Sequence, residues 1–281
     1  MVSKVGIAGL GFIGGSIGLA LRRNFPDMYI LGITRSVKSL PSTDNLNCFD
    51  RIVDYQNVEG VRECDIVVIS TIVSAIPSAF YTIKPFIGPS TLVTDVGSVK
   101  DWVVKEINDL SFIGSHPIAG SEKSGIENSD SEIFKDALCV ITPYGNSEEQ
   151  VKKVSDFWKL LGMRVLVLPP DIHDSIVAET SHFVHLVSFI LSSSLYNSDF
   201  YKDLFYGVFG KGLIDTTRIS NSNSDLWIDI FQKNKQNLLK AFDRFIELSY
   251  KVRDEIMMDN WSYVKNVLEN ANDFVKKLNY K

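Results

Sequence analysis

Val5-Gly6-Ile7-Ala8-Gly9-Leu10-Gly11-Phe12-Ile13-Gly14-Gly15-Ser16-Ile17 is the stretch that decides the fold. A short apolar run reads as a buried strand and leads into Gly-x-Gly-x-x-Gly. An apolar helix then follows through Ile17, Leu19, Ala20 and Leu21. The glycine spacing has a mechanical reason. Gly9 makes the tight turn, Gly11 lets a pyrophosphate approach the backbone, and Gly14 lets helix and strand pack closely. The helix N-terminus offers free N–H groups and a positive dipole to phosphates. Strand, turn and helix in that order separate this motif from glycines that merely turn the chain. Gly9, Gly11, Phe12, Ile13 and Gly14 are therefore candidate dinucleotide contacts.

Strand and helix signals alternate outward from there. Tyr29-Ile30-Leu31-Gly32-Ile33, Ile66-Val67-Val68-Ile69 and Thr91-Leu92-Val93-Thr94 are short β-branched runs bounded by polar or glycine residues. Residues 138–142 and 164–168 are later strand candidates, with a helix over 147–161 between them. Continuous apolar runs suit strands covered on both faces of a parallel sheet, so the first half reads as a doubly wound α/β domain. Ser70-Thr71 and Asp95-Val96-Gly97-Ser98 follow strands at their carboxyl ends, where open α/β sheets form their ligand crevice. Ser70, Thr71, Asp95 and Gly97 are further cofactor candidates. Ser98 reads either as a site residue or as the N-cap of a helix starting near Lys100.

The acidic residue that usually binds the ribose hydroxyls at the end of the second strand is missing, and Thr34-Arg35-Ser36 stands there. A guanidinium between two hydroxyls suits a 2′-phosphate, so the expected cofactor is NADP in preference to NAD. The alternative is that Arg35 is a surface cation.

Gly114-Ser115-His116-Pro117-Ile118-Ala119-Gly120-Ser121-Glu122-Lys123-Ser124-Gly125 holds one of only four histidines. Phe112-Ile113 reads as the end of a strand, which places His116 in the loop after it. Imidazole titrates near neutrality without special tuning, so His116 is a candidate acid/base group on the same rim as Ser98. Ser121 and Glu122 are candidate pocket residues.

Pro169-Pro170 breaks the pattern, and Asp171 reads as an N-cap. Beyond it the patterns are helical, as in Leu238, Leu239, Phe242, Phe245 and Ile246. The expected domains are 1–168, α/β, and 169–281, all-helical. His182 and His185 lie three apart on one face of an apolar helix. Their plain reading is as satisfied core residues.

A net charge of −5 argues against a nucleic-acid partner. Three dispersed cysteines, Cys48, Cys64 and Cys139, form neither a disulfide framework nor a zinc site and fit a reducing cytoplasm. No signal peptide is evident. The apolar run from 183 to 191 is about half the ~20 residues of a membrane span, so a soluble, cytoplasmic protein is expected.

The motifs in order resemble the prephenate/arogenate dehydrogenase family of tyrosine biosynthesis. They are Gly9-x-Gly11-x-x-Gly14-Gly15-Ser16, Thr94-Asp95-Val96-Gly97-Ser98-Val99-Lys100, the His116 stretch, His173-Asp174, and Ser181-His182-Phe183-Val184-His185. Asp215-Thr216-Thr217-Arg218-Ile219 and Leu226-Trp227 complete the set. The resemblance implies a Rossmann-type domain followed by a helical dimerisation domain, hence a homodimer. It implies oxidative decarboxylation of prephenate with NAD(P), His116 as base and Ser98 orienting it. It also implies that Arg218 pairs with a substrate carboxylate, that His182 and His185 act as substrate donors, and that Trp227 belongs to the pocket. His173 reads as structural. Family members often carry Leu-Pro where Phe183-Val184 stands here, which leaves the local helix geometry open. Arogenate is the alternative substrate, and a silent dinucleotide sensor is the alternative from another class.

Overall fold

β1 (Lys4–Ala8) enters α1 (Phe12–Asn24) through the glycine turn, and the chain returns as β2 (Tyr29–Thr34) and β3 (Arg51–Asp54). There follow β4 (Ile66–Ile69), α2 (Ile76–Ile83), β5 (Leu92–Asp95), α3 (Asp101–Ile107), β6 (Phe112–Ile118), β7 (Leu138–Thr142), α4 (Glu148–Leu160) and β8 (Arg164–Val167). The helical half comprises α5 (Pro170–Val177), α6 (Phe183–Tyr196), α7 (Lys211–Thr217), α8 (Ser224–Lys233), α9 (Lys235–Met257) and α10 (Trp261–Leu278). This computed structural model describes residues 2–58, 60–121, 123–198 and 208–278.

The strands form one sheet in the order β3-β2-β1-β4-β5-β6-β7-β8. All neighbours are parallel except β6 and β7. The order reverses between β1 and β4, which opens a crevice at their carboxyl ends. Apolar side chains bury on both faces, as the continuous β-branched runs require. One core gathers Ile17, Phe134, Phe157 and Trp158. The other gathers Phe80, Val103, Phe112 and Trp227. Ser147 and Gln150 start α4 with a reciprocal capping box.

Gly9 has φ +103°, and a Cβ there would stand 2.2 Å from the Ser70 carbonyl oxygen. A Cβ on Gly14 would meet the Gly9 carbonyl oxygen at 2.0 Å, whereas one on Gly11 would meet nothing within 4 Å. The outer two glycines are thus fixed by packing, and the middle one faces open space.

Three local expectations change. β6 continues through His116 to Ile118, because β7 supplies an antiparallel partner with His116 opposite Val140. His116 therefore sits in a strand rather than in a loop. Ser98 does not cap α3. The Asp174 carboxylate does so from a distance, accepting from Lys100 N (2.8 Å) and Asp101 N (2.9 Å). The N-cap of α5 is Pro169, with Asp171 in the first turn.

α5 and α6 are joined by a π-helical turn, Ala178–His182, and Phe183-Val184 open α6 directly after it. The resulting helical run, Pro170–Tyr196, is long and apolar enough by length and composition to cross a membrane. Its polar residues His173, Asp174, His182 and Ser188 are buried within the protein.

Two compact units result, Met1–Lys235 and Gln236–Lys281. The first runs past residue 168, since Asp174 holds α5 to α3 and Ser74 N donates to Asp229 of α8 at 2.9 Å. The second contains most of α9, then α10. There Glu255 accepts from Lys251 and Asn260, and Leu268, Phe274, Val275 and Leu278 of α10 are exposed.

Gly9→Ala is expected to lower the unfolding free energy by about 2 kcal/mol or more, combining the left-handed backbone penalty with the clash. Gly11→Ala is expected to stay within about 1 kcal/mol of the parent. Urea midpoints measure both; equal midpoints would contradict the division of roles.

Candidate active site

A cavity of about 910 Å³ opens over the carboxyl ends of the strands in the first unit. Gly9, Gly11, Phe12 and Ile13 line one side, with Thr34, Arg35 and Tyr55 beyond them. Ser70, Thr71, Gly97 and Ser98 line the middle, and His116, Ser121 and Leu226 the far side. The open space at Gly11 is what a pyrophosphate against bare backbone requires, so the loop fits a dinucleotide.

At the adenosine-side rim implied by that placement, Thr34 and Arg35 reach the cavity, whereas Ser36 does not line it and its carbonyl accepts from Ser39. Tyr55 also lines it. Its buried hydroxyl has no hydrogen-bond partner among the described residues, and burial pushes its pKa up to about 12 against the opposing pull of Arg35.

Asp95, expected at the cofactor, is instead fully buried beneath the site. Its carboxylate pairs with Lys100 Nζ and accepts from Gly97 N (2.9 Å) and Ser115 N (3.0 Å). Lys100 Nζ also donates to the Ser115 carbonyl at 2.9 Å. The Ser115 hydroxyl donates to the Asp95 carbonyl (2.7 Å) and accepts from Trp158 Nε1 (3.0 Å). This buried charge pair fixes Ser115, and so the strand register that presents His116.

The His116 imidazole forms part of the cavity wall, and its Nδ1 lies 2.9 Å from His173 Nε2. The two rings meet edge to face, with centroids 5.1 Å apart. His173 Nδ1 lies 2.8 Å from Asp174 Oδ1, the same carboxylate that caps α3. Desolvation, then His173, Lys100 and His182, hold the His116 pKa well below the ordinary value. The imidazole is neutral at pH 7, the state a base requires.

A second cluster sits on the π turn and on α6 and α8. His182 is buried, and its Nδ1 lies 3.2 Å from Asn234 Nδ2, which also donates to the Asp174 carbonyl (2.8 Å). Burial lowers the His182 pKa to about 4, with Asp174 opposing. Nδ1 therefore accepts and Nε2 carries the hydrogen, and Nε2 has no partner among the described residues. His185 donates from Nδ1 to the Ser181 carbonyl (2.9 Å) and stacks on Trp227 at 3.7 Å. Burial lowers its pKa as well. Trp227 Nε1 donates to Ser222 at 2.9 Å.

The cavity thus unites the glycine loop, Thr34, Arg35, Ser70, Thr71, Gly97, Ser98, His116 and Ser121. His182, His185 and Trp227 do not line it, and Gly14 contributes packing alone. Arg218 is exposed in the turn Arg218–Asn221 and does not line it either. Glu122 lies outside the described residues. Sequence reasoning missed Lys100, Asn234, Tyr55 and the linkage of His173 to His116. The adjacent His173-Asp174 pair was the one visible signal, because a carboxylate beside an imidazole is the usual means of fixing its tautomer.

The family model described as prephenate dehydrogenase, nucleotide-binding domain, matches residues 17–167, and that for the prephenate dehydrogenase dimerization domain matches 169–277. A prephenate dehydrogenase of Bacillus subtilis is 30% identical over 281 residues, covering 98% of this chain and 76% of that protein. The crystal structure of prephenate dehydrogenase from A. aeolicus in complex with hydroxyphenyl propionate and NAD+ superposes with TM-score 0.89 at 29% identity, over 100% of this chain and 99% of that one. A Synechocystis arogenate dehydrogenase structure gives TM-score 0.83 at 26% identity, covering 98% and 99%.

Lys100→Met leaves the Asp95 charge buried and unpaired and is expected to lower stability by about 3–5 kcal/mol. Adding Asp95→Asn should recover most of that loss. Urea unfolding of both variants checks this; an unchanged midpoint for the single variant would remove the ion pair from its assigned role.

Proposed function

The chain belongs to the prephenate dehydrogenase family, and from that premise we propose that its cavity oxidises and decarboxylates prephenate with His116 as the base. The chain is an oxidoreductase and uses a nicotinamide dinucleotide. One observation carries the catalytic reading: a glycine loop with open space at Gly11, Ser98 and a neutral imidazole line a single cavity.

Prephenate carries a hydroxyl on ring C4 and a carboxylate on C1. The oxidised nicotinamide supplies the acceptor for the C4 hydride. His116 accepts the hydrogen of the C4 hydroxyl as the C–O bond gains double-bond character, and Ser98 orients the hydroxyl or the imidazole. The bond from C1 to its carboxylate breaks, and its electrons enter the ring, which becomes aromatic. The proton held by His116 returns to the phenol oxygen. The balance is therefore prephenate and oxidised cofactor to 4-hydroxyphenylpyruvate, carbon dioxide and reduced cofactor. Aromatisation drives the step, and the protein supplies orientation and the proton path.

Prephenate is favoured over arogenate because no carboxylate side chain among the described residues lines the cavity to receive an ammonium. His182 does not line the cavity in this structure, but its Nε2–H has no partner among the described residues and is the donor proposed for a keto acid or carboxylate. Arg218 as a clamp for a substrate carboxylate, and Trp227 and His185 as pocket residues, rest on the family resemblance, since none of the three lines the cavity in this structure. Arg35 and Thr34 at the cavity rim support a preference for NADP. The match of 169–277 to a dimerization domain and the exposed apolar residues of α10 support a homodimer through the helical half. Three free, buried cysteines support a cytoplasmic setting.

Turnover is expected with prephenate rather than arogenate, and with higher kcat/KM for NADP than for NAD. Arg35→Ala should reduce kcat/KM for NADP by about 10- to 100-fold and leave NAD little changed. Turnover of arogenate alone, or a preference for NAD, would overturn the respective choice.

His116→Asn should bind the dinucleotide normally and lose about 10²- to 10⁴-fold in kcat. In the unaltered enzyme the acid limb of kcat/KM against pH should lie well below 6.5, because the imidazole stays neutral there. A limb at or above 6.5 would count against His116 as the base.

A further inference from the structure

Asp174, His173 and His116 form one directed chain of hydrogen bonds, and its direction can be worked out from the outer end inward. The Asp174 carboxylate has only acceptors to offer, and two backbone N–H groups of the α3 N-terminus already point at it. His173 Nδ1, 2.8 Å from Asp174 Oδ1, must therefore be the donor. With that one hydrogen on Nδ1, His173 presents a bare lone pair at Nε2. That lone pair lies 2.9 Å from His116 Nδ1, so His116 must hold its hydrogen on Nδ1. The remaining nitrogen of His116, Nε2, is left unprotonated.

We infer that His173 and Asp174 are positioning residues that lock His116 in the tautomer whose Nε2 accepts the substrate proton. The inference rests on the reading of His116 as the base. His173 touches neither the cavity nor the reacting atoms; it acts through His116. The lock matters because a free histidine side chain places its hydrogen on Nε2 more readily than on Nδ1, and an Nε2–H cannot accept. Once His116 has taken the proton, its Nδ1–H still points at His173 Nε2, and the Asp174 carboxylate lies behind that ring. The added positive charge is therefore held by a lone pair and, one ring further, by an anion.

The surroundings agree with a built relay. His173 and Asp174 are 1% and 2% exposed, so water does not compete for these bonds. The other charged or titratable groups facing His116 are Lys100, paired with Asp95, and His182, which is neutral near pH 7. Neither offers His116 Nδ1 an acceptor. Asn234, which donates to the Asp174 backbone carbonyl, holds the end of α5 from the other side.

The chain has only four histidines, which makes the test direct. The full-length protein is labelled with 15N at histidine, and the imidazole nitrogens are observed at neutral pH, with His116 assigned by its loss in His116→Asn. The expected spectrum shows His116 with a protonated Nδ1 and an unprotonated Nε2. A protonated Nε2 in the unaltered chain would overturn the inference without any variant.

His173→Phe removes the acceptor. It should mix the two His116 tautomers and lower kcat by about 10²-fold or more, with the dissociation constant of the dinucleotide changed by less than about threefold. His173→Gln can place an amide oxygen near the former Nε2, and it should keep the Nδ1–H tautomer and recover kcat to within about tenfold. Full kcat in His173→Phe would refute the relay. So would equal losses in both variants that follow their melting temperatures. Failure of the unaltered chain to turn over prephenate or arogenate would instead refute the functional reading, while the spectra still decide the tautomer.

Discussion

The buried ion pair of Asp95 and Lys100 is the constraint on which the geometry of the site depends. Taking two charges out of water costs several kcal/mol each, and their attraction offsets this only where the remaining donors and acceptors are satisfied. Here they are. Asp95 also receives Gly97 N and Ser115 N, and Lys100 also donates to the Ser115 carbonyl. A hydrophobic pair of similar size would pack as well but would not dictate where Ser115 lies. The polar solution specifies position, and position is what the neighbouring His116 needs.

The same small region joins the helical half to the sheet. α3 starts at Lys100 and Asp101 without a local cap, and the carboxylate that closes it comes from α5. One residue therefore ends a helix, anchors a second helix and orients an imidazole. Lys100 likewise contributes its backbone to the cap and its side chain to the ion pair. Stability and chemistry share atoms here, so substitutions at Asp174 or Lys100 affect both, and their effects on neighbours will not add.

The sequence was most legible where structure is local. Gly9 and Gly14 are dictated by contacts within a few residues of the turn or with an adjacent strand, so their spacing alone carries the loop. The strands were legible because burial on both faces leaves an unbroken β-branched run. His116 was misplaced from strand to loop because its pairing partner, β7, lies more than twenty residues away in the chain. Asp95 looked like a cofactor contact because its strand-end position is right; only the tertiary placement of Lys100 turns it inward. The roles of His173 and Asp174 depend on α5 meeting α3, which no periodicity reports. Ser98 lines the cavity, and the alternative reading of it as an N-cap is not met, since the cap arrives from over seventy residues away.

The low basicity of His116, His182 and His185 has a consequence for the fold as a whole. His116, His182 and His185 all bind protons less readily in the folded chain than a free imidazole does. Unfolding releases each to its ordinary value near 6.5, so below that pH the unfolded chain takes up protons that the native one refuses. Stability is therefore fully present above about 6.5 and erodes as the pH falls toward about 4, where His182 titrates in place. The loss is at most about 1.4 kcal/mol per pH unit for each imidazole. Proton uptake by these three imidazoles on unfolding therefore weakens the fold on the acid side through the folding equilibrium.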